Sequence, residues 1–437
     1  MSFSSAYRRY SKALSLFPNV EEEYTLSRVR IEVEHFLRMC RHFKISVDES
    51  VVRNFVESLG SQSCRRISQI EAETNHDVVA IVKYITESLR LLGVSEKALG
   101  MVHFGLTSQD VNSFGFVSVF SKCLYAVREK CDLLIEELFA LMSTCEGIPM
   151  LTFTHGQPAV PSTLDKELAV YYYRLQVAMK HFVKTSYTLT VKFGGVNGNH
   201  NALYLVDPRT DWHNYSKELV EFFGFKRSHV TSQIDNYLSV SRMMSEMVNI
   251  TLIVEDLSRN VHAYIQKGYF NQLVKSAEAG SSAMPNKVNP IGLEQSWGQF
   301  SMARSQLHGF IETLQLSLMQ RDLHDSTVTR FVPEALAKVA IGLVAVTDGL
   351  SRLTPDSDQI RADLNNHSEV LAEACQTLLR FEGQSDAYEE FKKKTRGQVL
   401  THTQMQALLP ISIPTVQEYI GKPPNYHDIE LYTQMKM

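Results

Sequence analysis

Between Gly280 and Pro290 the chain reads Gly-Ser-Ser-Ala-Met-Pro-Asn-Lys-Val-Asn-Pro. Two hydroxyls (Ser281, Ser282), a lysine (Lys287), an asparagine amide (Asn289) and two prolines follow the small-residue run Ala277-Glu278-Ala279-Gly280. Such a stretch is too polar and too broken for a core element, and its glycine and prolines mark a loop. Hydroxyls beside a cation suit a loop that closes over an anion. Long connections of this kind inside compact domains often serve as lids.

Four further islands of polar residues stand apart from the apolar runs: Thr74-Asn75-His76-Asp77-Val78, His103 to Asp110, Thr152 to Ala159, and Gln320 to Arg330. Each alone has an ordinary explanation: Thr107-Ser108 as a helix cap, His155 as a turn histidine, Arg321 to Arg330 as a solvated face. Together, with long helices between them, they form a set of candidate site residues.

The elements that must position them read as helices. Apolar residues recur at helical spacing over Glu21–Phe43. Five longer segments follow, at about Phe116–Met142, Ser162–Leu189, Leu238–Tyr269, Ile291–Leu318 and Pro333–Leu353. Ser162 precedes Asp165 by three, in the manner of a capping box, and Pro333 suits a first turn. The last segment is apolar over much of its circumference, which calls for burial on several sides, as in a bundle shared between subunits. Thr188–Lys192 is the one candidate strand. The expected fold class is all-α, in three regions: an N-terminal helical domain over 1–110, a central five-helix domain over 111–352, and a small helical domain over 353–437 that opens with the break Leu353-Thr354-Pro355-Asp356-Ser357-Asp358.

Composition narrows the function classes. The net charge of the 437 residues is −4, which gives no general attraction for nucleic acid or an anionic membrane. Any anion must be held by locally placed Arg, Lys and backbone N–H. No apolar run reaches the ~18 residues of a membrane span. The N-terminus shows no secretory pattern, and the six cysteines lack CxxC spacing, so free thiols in a cytoplasmic protein are expected. His35, Cys40 and His42 are near neighbours without the spacing or fourth ligand of a metal site. No metal and no cofactor are expected.

In order and content the islands resemble the adenylosuccinate lyase family, its bacterial-type branch, within the fumarase/aspartase superfamily. The resemblance runs through Arg9-Tyr10, Asn75-His76-Asp77, Thr107-Ser108-x-Asp110, Thr154-His155-Gly156-Gln157-Pro158-Ala159, Ser232-Gln233-Ile234, Ser281-Ser282-Ala283-Met284-Pro285, and Arg321-Asp322-Leu323-x-Asp325-Ser326-x-Val328-x-Arg330. It covers nearly the whole chain, from about residue 8 to about residue 400. It implies a three-domain fold around a central long-helix bundle, a homotetramer with a twenty-helix core, and active sites shared between subunits. It also implies β-elimination of fumarate from adenylosuccinate and from succinyl-aminoimidazole carboxamide ribotide.

That chemistry needs a base for the proton next to a carboxylate, donors for the dianion that forms, and an acid for the leaving nitrogen. By the resemblance Ser281 is the base, its alkoxide supported by Lys287, and His155 is the acid, oriented by Glu294. Glu294 also suits a helix N-terminus as a plain carboxylate. Thr107, Ser108, Gln233, Lys287 and Asn289 would hold the succinyl carboxylates. Arg9, Tyr10, Arg321, Ser326 and Arg330 would hold phosphate and ribose, the guanidinium forks matching phosphate oxygens. Asn75, His76 and Asp77 fall near the base or the phosphate, with His76 either assisting proton transfer or serving as a structural histidine. Thr154, Gln157, Ser282 and Met284 complete the expected substrate-binding set.

Three positions depart from the family pattern: Asn286 replaces a histidine, no Asp-Gly precedes Arg9-Tyr10, and Val79 replaces a lysine. None removes a residue with an assigned chemical role. Two other readings stay open. One is another fumarate-releasing lyase of the superfamily, of the argininosuccinate lyase or fumarase type, against which the Arg321–Arg330 island argues. The other is a non-catalytic helical scaffold, against which the presence of Ser281 and His155 argues.

Overall fold

The computed structural model describes residues 10–274, 283–408 and 412–424. Ser281, Ser282 and Arg9, expected in the site, lie outside the described residues. The N-terminal region holds α1 (Val20–His42), α2 (Glu49–Glu57), α3 (Ser61–Thr74), α4 (Asp77–Leu91) and α5 (Glu96–Leu99). They share a core that includes Val33, Phe36, Phe55, Ile81 and Ile85.

The middle of the chain begins with α6 (Ser108–Thr144), the hairpin β1 (Pro149–Thr154) and β2 (Gln157–Thr163), and α7 (Leu164–Ser186). β3 (Thr190–Val191), α8 (Asn201–Val206), α9 (Trp212–Phe222) and β4 (Lys226–Arg227) come next. Then follow α10 (Leu238–Gln266), β5 (Phe270–Gln272), α11 (Ile291–Leu314), α12 (His324–Val328) and α13 (Val332–Leu350). The five long helices of this set bury one continuous apolar core. Among the described residues the chain is mostly helical, as expected, but it adds three two-stranded sheets.

α6 starts at Ser108, not near Phe116 as its apolar spacing suggests. Thr107 and Asp110 close a capping box there, and the polar first turns hide the helix from a periodicity reading. The expected cap at Ser162 is not made: Ser162 Oγ donates to Glu167 at 2.6 Å, and Thr163 is the N-cap residue. Pro333 lies in the first turn of α13, where its missing N–H costs nothing. The strand expected over Thr188–Lys192 shrinks to Thr190–Val191, paired in parallel with Lys226–Arg227.

α11 and α13 approach closely because glycines face the contact. A Cβ at Gly292 would stand 2.6 Å from the Ala345 carbonyl, and one at Gly342 would stand 2.4 Å from the Phe300 ring. The chain ends in β6 (Leu353–Pro355), α14 (Ser357–Asn365), α15 (Ala372–Phe381), α16 (Ala387–Thr395) and α17 (His402–Ala407). β6 pairs with β5, and Leu151 of the hairpin joins the apolar cluster of these last helices.

Candidate active site

The candidate residues gather at the two ends of the long-helix bundle. At one end lie the start of α6, the end of α11, and the loop before α10. Arg321 reaches back to α6: its Nη2 donates to the Gln109 side-chain carbonyl at 3.0 Å, and it donates to Ser326 Oγ at 3.3 Å. The half-buried Ser108 is the first residue of α6. Arg330 is exposed, its Nε donating to the Ser326 carbonyl at 3.2 Å. Asp325 accepts from Tyr237 Oη at 2.9 Å, which brings in the loop that carries the half-buried Gln233. Tyr10 packs beside Ala337 and Ile341 of α13.

Asn75, His76 and Asp77 join this end through α1. Asn75 ends α3 in the left-handed region, and His76 caps α4, its Nδ1 accepting from Val79 N–H at 3.4 Å. The same Nδ1 lies 3.6 Å from Asp77 Oδ1. At 3.6 Å this second contact is beyond hydrogen-bond reach, so Nδ1 serves as the acceptor of the Val79 N–H. Tyr24 lies partly buried among Arg28, Asp77, Asp325 and Arg330. Burial pushes its hydroxyl pKa up, with Arg28 opposing.

A buried ion pair underlies the start of α6. Asp110 accepts from Lys192 Nζ at 2.6 Å and from Gly194 N–H at 2.8 Å, with both charged side chains fully buried. Burial pushes the Lys192 ammonium pKa down, against the pull of Asp110. Asp110 also accepts from Thr107 N–H at 2.9 Å. The backbone that presents Thr107 and Ser108 is therefore tied to an anchor without side-chain freedom. With its dipole and free N–H groups, such a helix start suits an anion.

The second group lies at the C-terminal end of α10. His155 and Gly156 form the two-residue turn of the hairpin, with φ of 53° and 74°. Both central residues in the left-handed region make a type I′ turn, which matches strand twist. His155 is exposed at the tip, flanked by the exposed Thr154 and Gln157. Phe153 of the hairpin packs under Lys267, the residue after α10, whose ammonium is 3.6 Å from the ring centre. Glu294, in the first turn of α11, has Oε1 at 3.3 Å from His262 Nε2 on α10. Lys287 and Met284 are exposed, and Lys287 N–H donates to the Met284 carbonyl at 3.1 Å. Gln272 donates to the Val288 carbonyl at 3.0 Å, which holds the half-buried Asn289 beside β5.

One expectation changes. The hydrogen bond expected between Glu294 and His155 is not made within the chain. Glu294 faces α10 and meets His262, while His155 rides an outward hairpin tip. Thr154-His155-Gly156-Gln157 is the turn of a hairpin whose strands carry no alternating apolar pattern.

α10 separates the groups. Its 29 residues span about 43 Å at the helical rise, with Tyr237 at one end and Lys267 at the other. One end offers guanidinium groups, hydroxyls and a helix start for anions. The other offers an imidazole, an ammonium and a carboxylate for proton transfer.

The family model described as "Lyase" matches residues 40–303, and that described as "Adenylosuccinate lyase C-terminal" matches residues 317–418. The adenylosuccinate lyase of Dictyostelium discoideum is 34% identical over 427 residues, covering 93% of this chain and 91% of that protein. This chain belongs to the adenylosuccinate lyase family. The Escherichia coli adenylosuccinate lyase is 31% identical over 403 residues, covering 89% and 87% of the two chains. Among solved structures, fumarate lyase from Mesorhizobium sp. BNC1 aligns with a TM-score of 0.72 at 17% identity, covering 91% of this chain and 89% of that one. The 3-carboxy-cis,cis-muconate lactonizing enzyme of Pseudomonas putida aligns with a TM-score of 0.66 at 18% identity, covering 90% and 88%. These two likenesses concern the fold. The bundle of this adenylosuccinate lyase family member thus has the fold of those two enzymes.

Three residues of the first group were passed over in the sequence: Tyr24, Arg28 and Tyr237. Tyr24 and Arg28 look like ordinary helix residues. The available signal was Gly115, an isolated glycine inside a helix, which marks a close approach.

Proposed function

We propose that this chain is an adenylosuccinate lyase. It eliminates fumarate from adenylosuccinate to give AMP, and from succinyl-aminoimidazole carboxamide ribotide to give the carboxamide ribotide. The observation that carries the reading, beyond family membership, is the grouping of Arg321, Ser326 and Arg330 with Ser108 and Gln233 at one bundle end. A small dicarboxylate needs no such second set of cationic donors.

In this reading Ser281 takes the proton from the carbon next to a carboxylate. Thr107, Ser108, Gln233, Lys287 and Asn289 hold the carboxylate as it gains charge. His155 gives a proton to the leaving nitrogen, and Glu294 favours the charged ring from across a subunit boundary. Tyr10, Arg321, Ser326 and Arg330, with Arg9, hold the nucleotide. His76 assists proton transfer from its place beside Asp77. Arg321 lies at one end of a helix about 43 Å long and His155 at the other. The complete site therefore draws on more than one chain, which supports a homotetramer with shared sites. The exposed apolar stripe Val170, Tyr173 and Val177 on α7, at helical spacing, gives such an assembly a surface to cover.

We also divide the chain into domains over 1–110, 111–352 and 353–437, supported by an apolar cluster that falls mainly within each range. Among the described residues no helix is long and apolar enough to cross a membrane. The place of action we propose is the cytoplasm.

The test is a spectrophotometric assay of the purified chain with adenylosuccinate, with argininosuccinate and malate as controls. Turnover of adenylosuccinate alone is the expected result. Activity on a control instead overturns the nucleotide assignment of Arg321 to Arg330, and inactivity on all three favours the scaffold reading.

A further inference from the structure

Arg28 is a buried guanidinium on α1, 4% exposed. Its Nη1 donates to Asp77 Oδ2 at 2.5 Å and to Asn112 Oδ1 at 3.1 Å. Its guanidinium lies 4.0 Å from the centre of the Tyr24 ring, and its buried Nε finds no hydrogen-bond partner among the described residues. The packing around it is built to admit it. On α6, a Cβ at Gly115 would stand 2.7 Å from Arg28 Cγ and 3.0 Å from the Tyr24 ring. Glycine inside a helix is unfavourable, so its use here gives the Arg28 stem room it would otherwise lack.

A buried charge with an unsatisfied N–H is poor structural material, since apolar residues of similar volume often serve stability as well or better. What Arg28 does contribute is geometry. Asp77 presents one oxygen to Arg28 and the other, at 3.6 Å, to His76 Nδ1. A carboxylate held in this way limits where the neighbouring ring can sit, while the Val79 N–H sets Nδ1 as the acceptor. The same guanidinium grips Asn112, just beyond Ser108 in the opening turns of α6.

We propose that Arg28 is a positioning residue. It fixes Asp77 and, through it, the His76 ring, and it locks that turn to the helix start carrying Thr107 and Ser108. The kinetic consequence rests on the lyase reading, whereas the positioning itself does not.

The experiment uses the full chain with Arg28→Met, Arg28→Lys, Asp77→Asn and the double variant Arg28→Met/Asp77→Asn. Arg28→Met is expected to lower kcat on adenylosuccinate by roughly 30-fold or more with KM within about threefold, as for loss of an interaction made in the transition state. Arg28→Lys keeps the charge but not the fork and recovers part of the loss. The double variant is no slower than Asp77→Asn alone, because Arg28 acts through Asp77. Additive losses, or a kcat for Arg28→Met within twofold of the unaltered chain, overturn the proposal. Should Arg28→Met fail to fold, Gly115→Ala pushes the Arg28 stem while keeping the guanidinium, and it is expected to lower kcat several-fold. Unchanged kcat in that variant counts against the proposal. Hydrogen exchange over residues 74–80 gives a readout independent of substrate. Arg28→Met is expected to exchange faster there. If the unaltered chain turns over no adenylosuccinate, the lyase reading fails alone. Unchanged exchange in the variant then overturns the role of Arg28.

Discussion

His155 occupies a position where chemistry and packing separate. It sits exposed in the left-handed region of a two-residue turn, so its side chain supports no core. Asparagine tolerates that backbone well. His155→Asn is expected to cut turnover by about 10²–10⁴-fold, the range for loss of a general acid. Its unfolding free energy should stay within about 0.5 kcal/mol. An active His155→Asn, measured by the adenylosuccinate assay, would remove the residue from its role. His200 illustrates the opposite situation. Burial lowers its pKa from 6.5 to about 4, with Arg227 adding to the effect. The unfolded chain therefore binds the proton more readily than the folded one. The stability of the neutral buried ring is fully present above about pH 6.5 and is lost as the pH falls toward 4, by about 3 kcal/mol in all. Urea midpoints at pH 7 and 4.5 should differ less in His200→Asn than in the unaltered chain, and equal differences would refute the assignment. At this scale the sequence was readable where polar residues broke apolar runs. His155, Ser108 and Arg321 stood out in that way. Arg28 did not, because its importance comes from Gly115 and Asp77, which approach it only in three dimensions.

The helices were legible because long amphipathic or apolar stretches leave few alternatives. Their starts were less so, since capping is local polar chemistry laid over the periodicity. α6 shows this, with its first turns hidden by Ser108, Asn112 and Ser113. The hairpin was missed because its strands carry threonines, prolines and a glutamine, not an alternating apolar face. The α11–α13 contact was invisible for a different reason: a glycine in a helix reads as weakness until its neighbour is known. Gly342→Ala would press a methyl group into the buried Phe300 ring. The expected cost is about 1–3 kcal/mol, the range for overpacking, read as a lower urea midpoint. A midpoint equal to that of the unaltered chain would mean that the two helices slide apart freely.

For the whole molecule, the decisive quantity is the length of α10. No rearrangement of side chains carries His155 to Arg321 across about 43 Å. His155→Asn and Arg321→Met should each be inactive alone, since each damages one end of every chain. Denatured together and refolded as a mixture, they should regain activity, because some sites then combine an intact end from each variant. A mixture as inactive as its components would place a whole site within one chain. Size measurement by light scattering should give four times the chain mass. The length separating the groups cannot be read from residue types alone. It follows once the order of the helices and the direction of each are known.

The same separation has a consequence for reaction order. If a site exists only where two ends from different chains meet, catalysis scales with assembled complexes and not with chains. Below the concentration at which the complex dissociates, specific activity falls as the solution is thinned, and the rate rises more steeply than linearly with protein. The bundle would then act as a threshold detector for its own abundance, silent when scarce and fully engaged once partners are common.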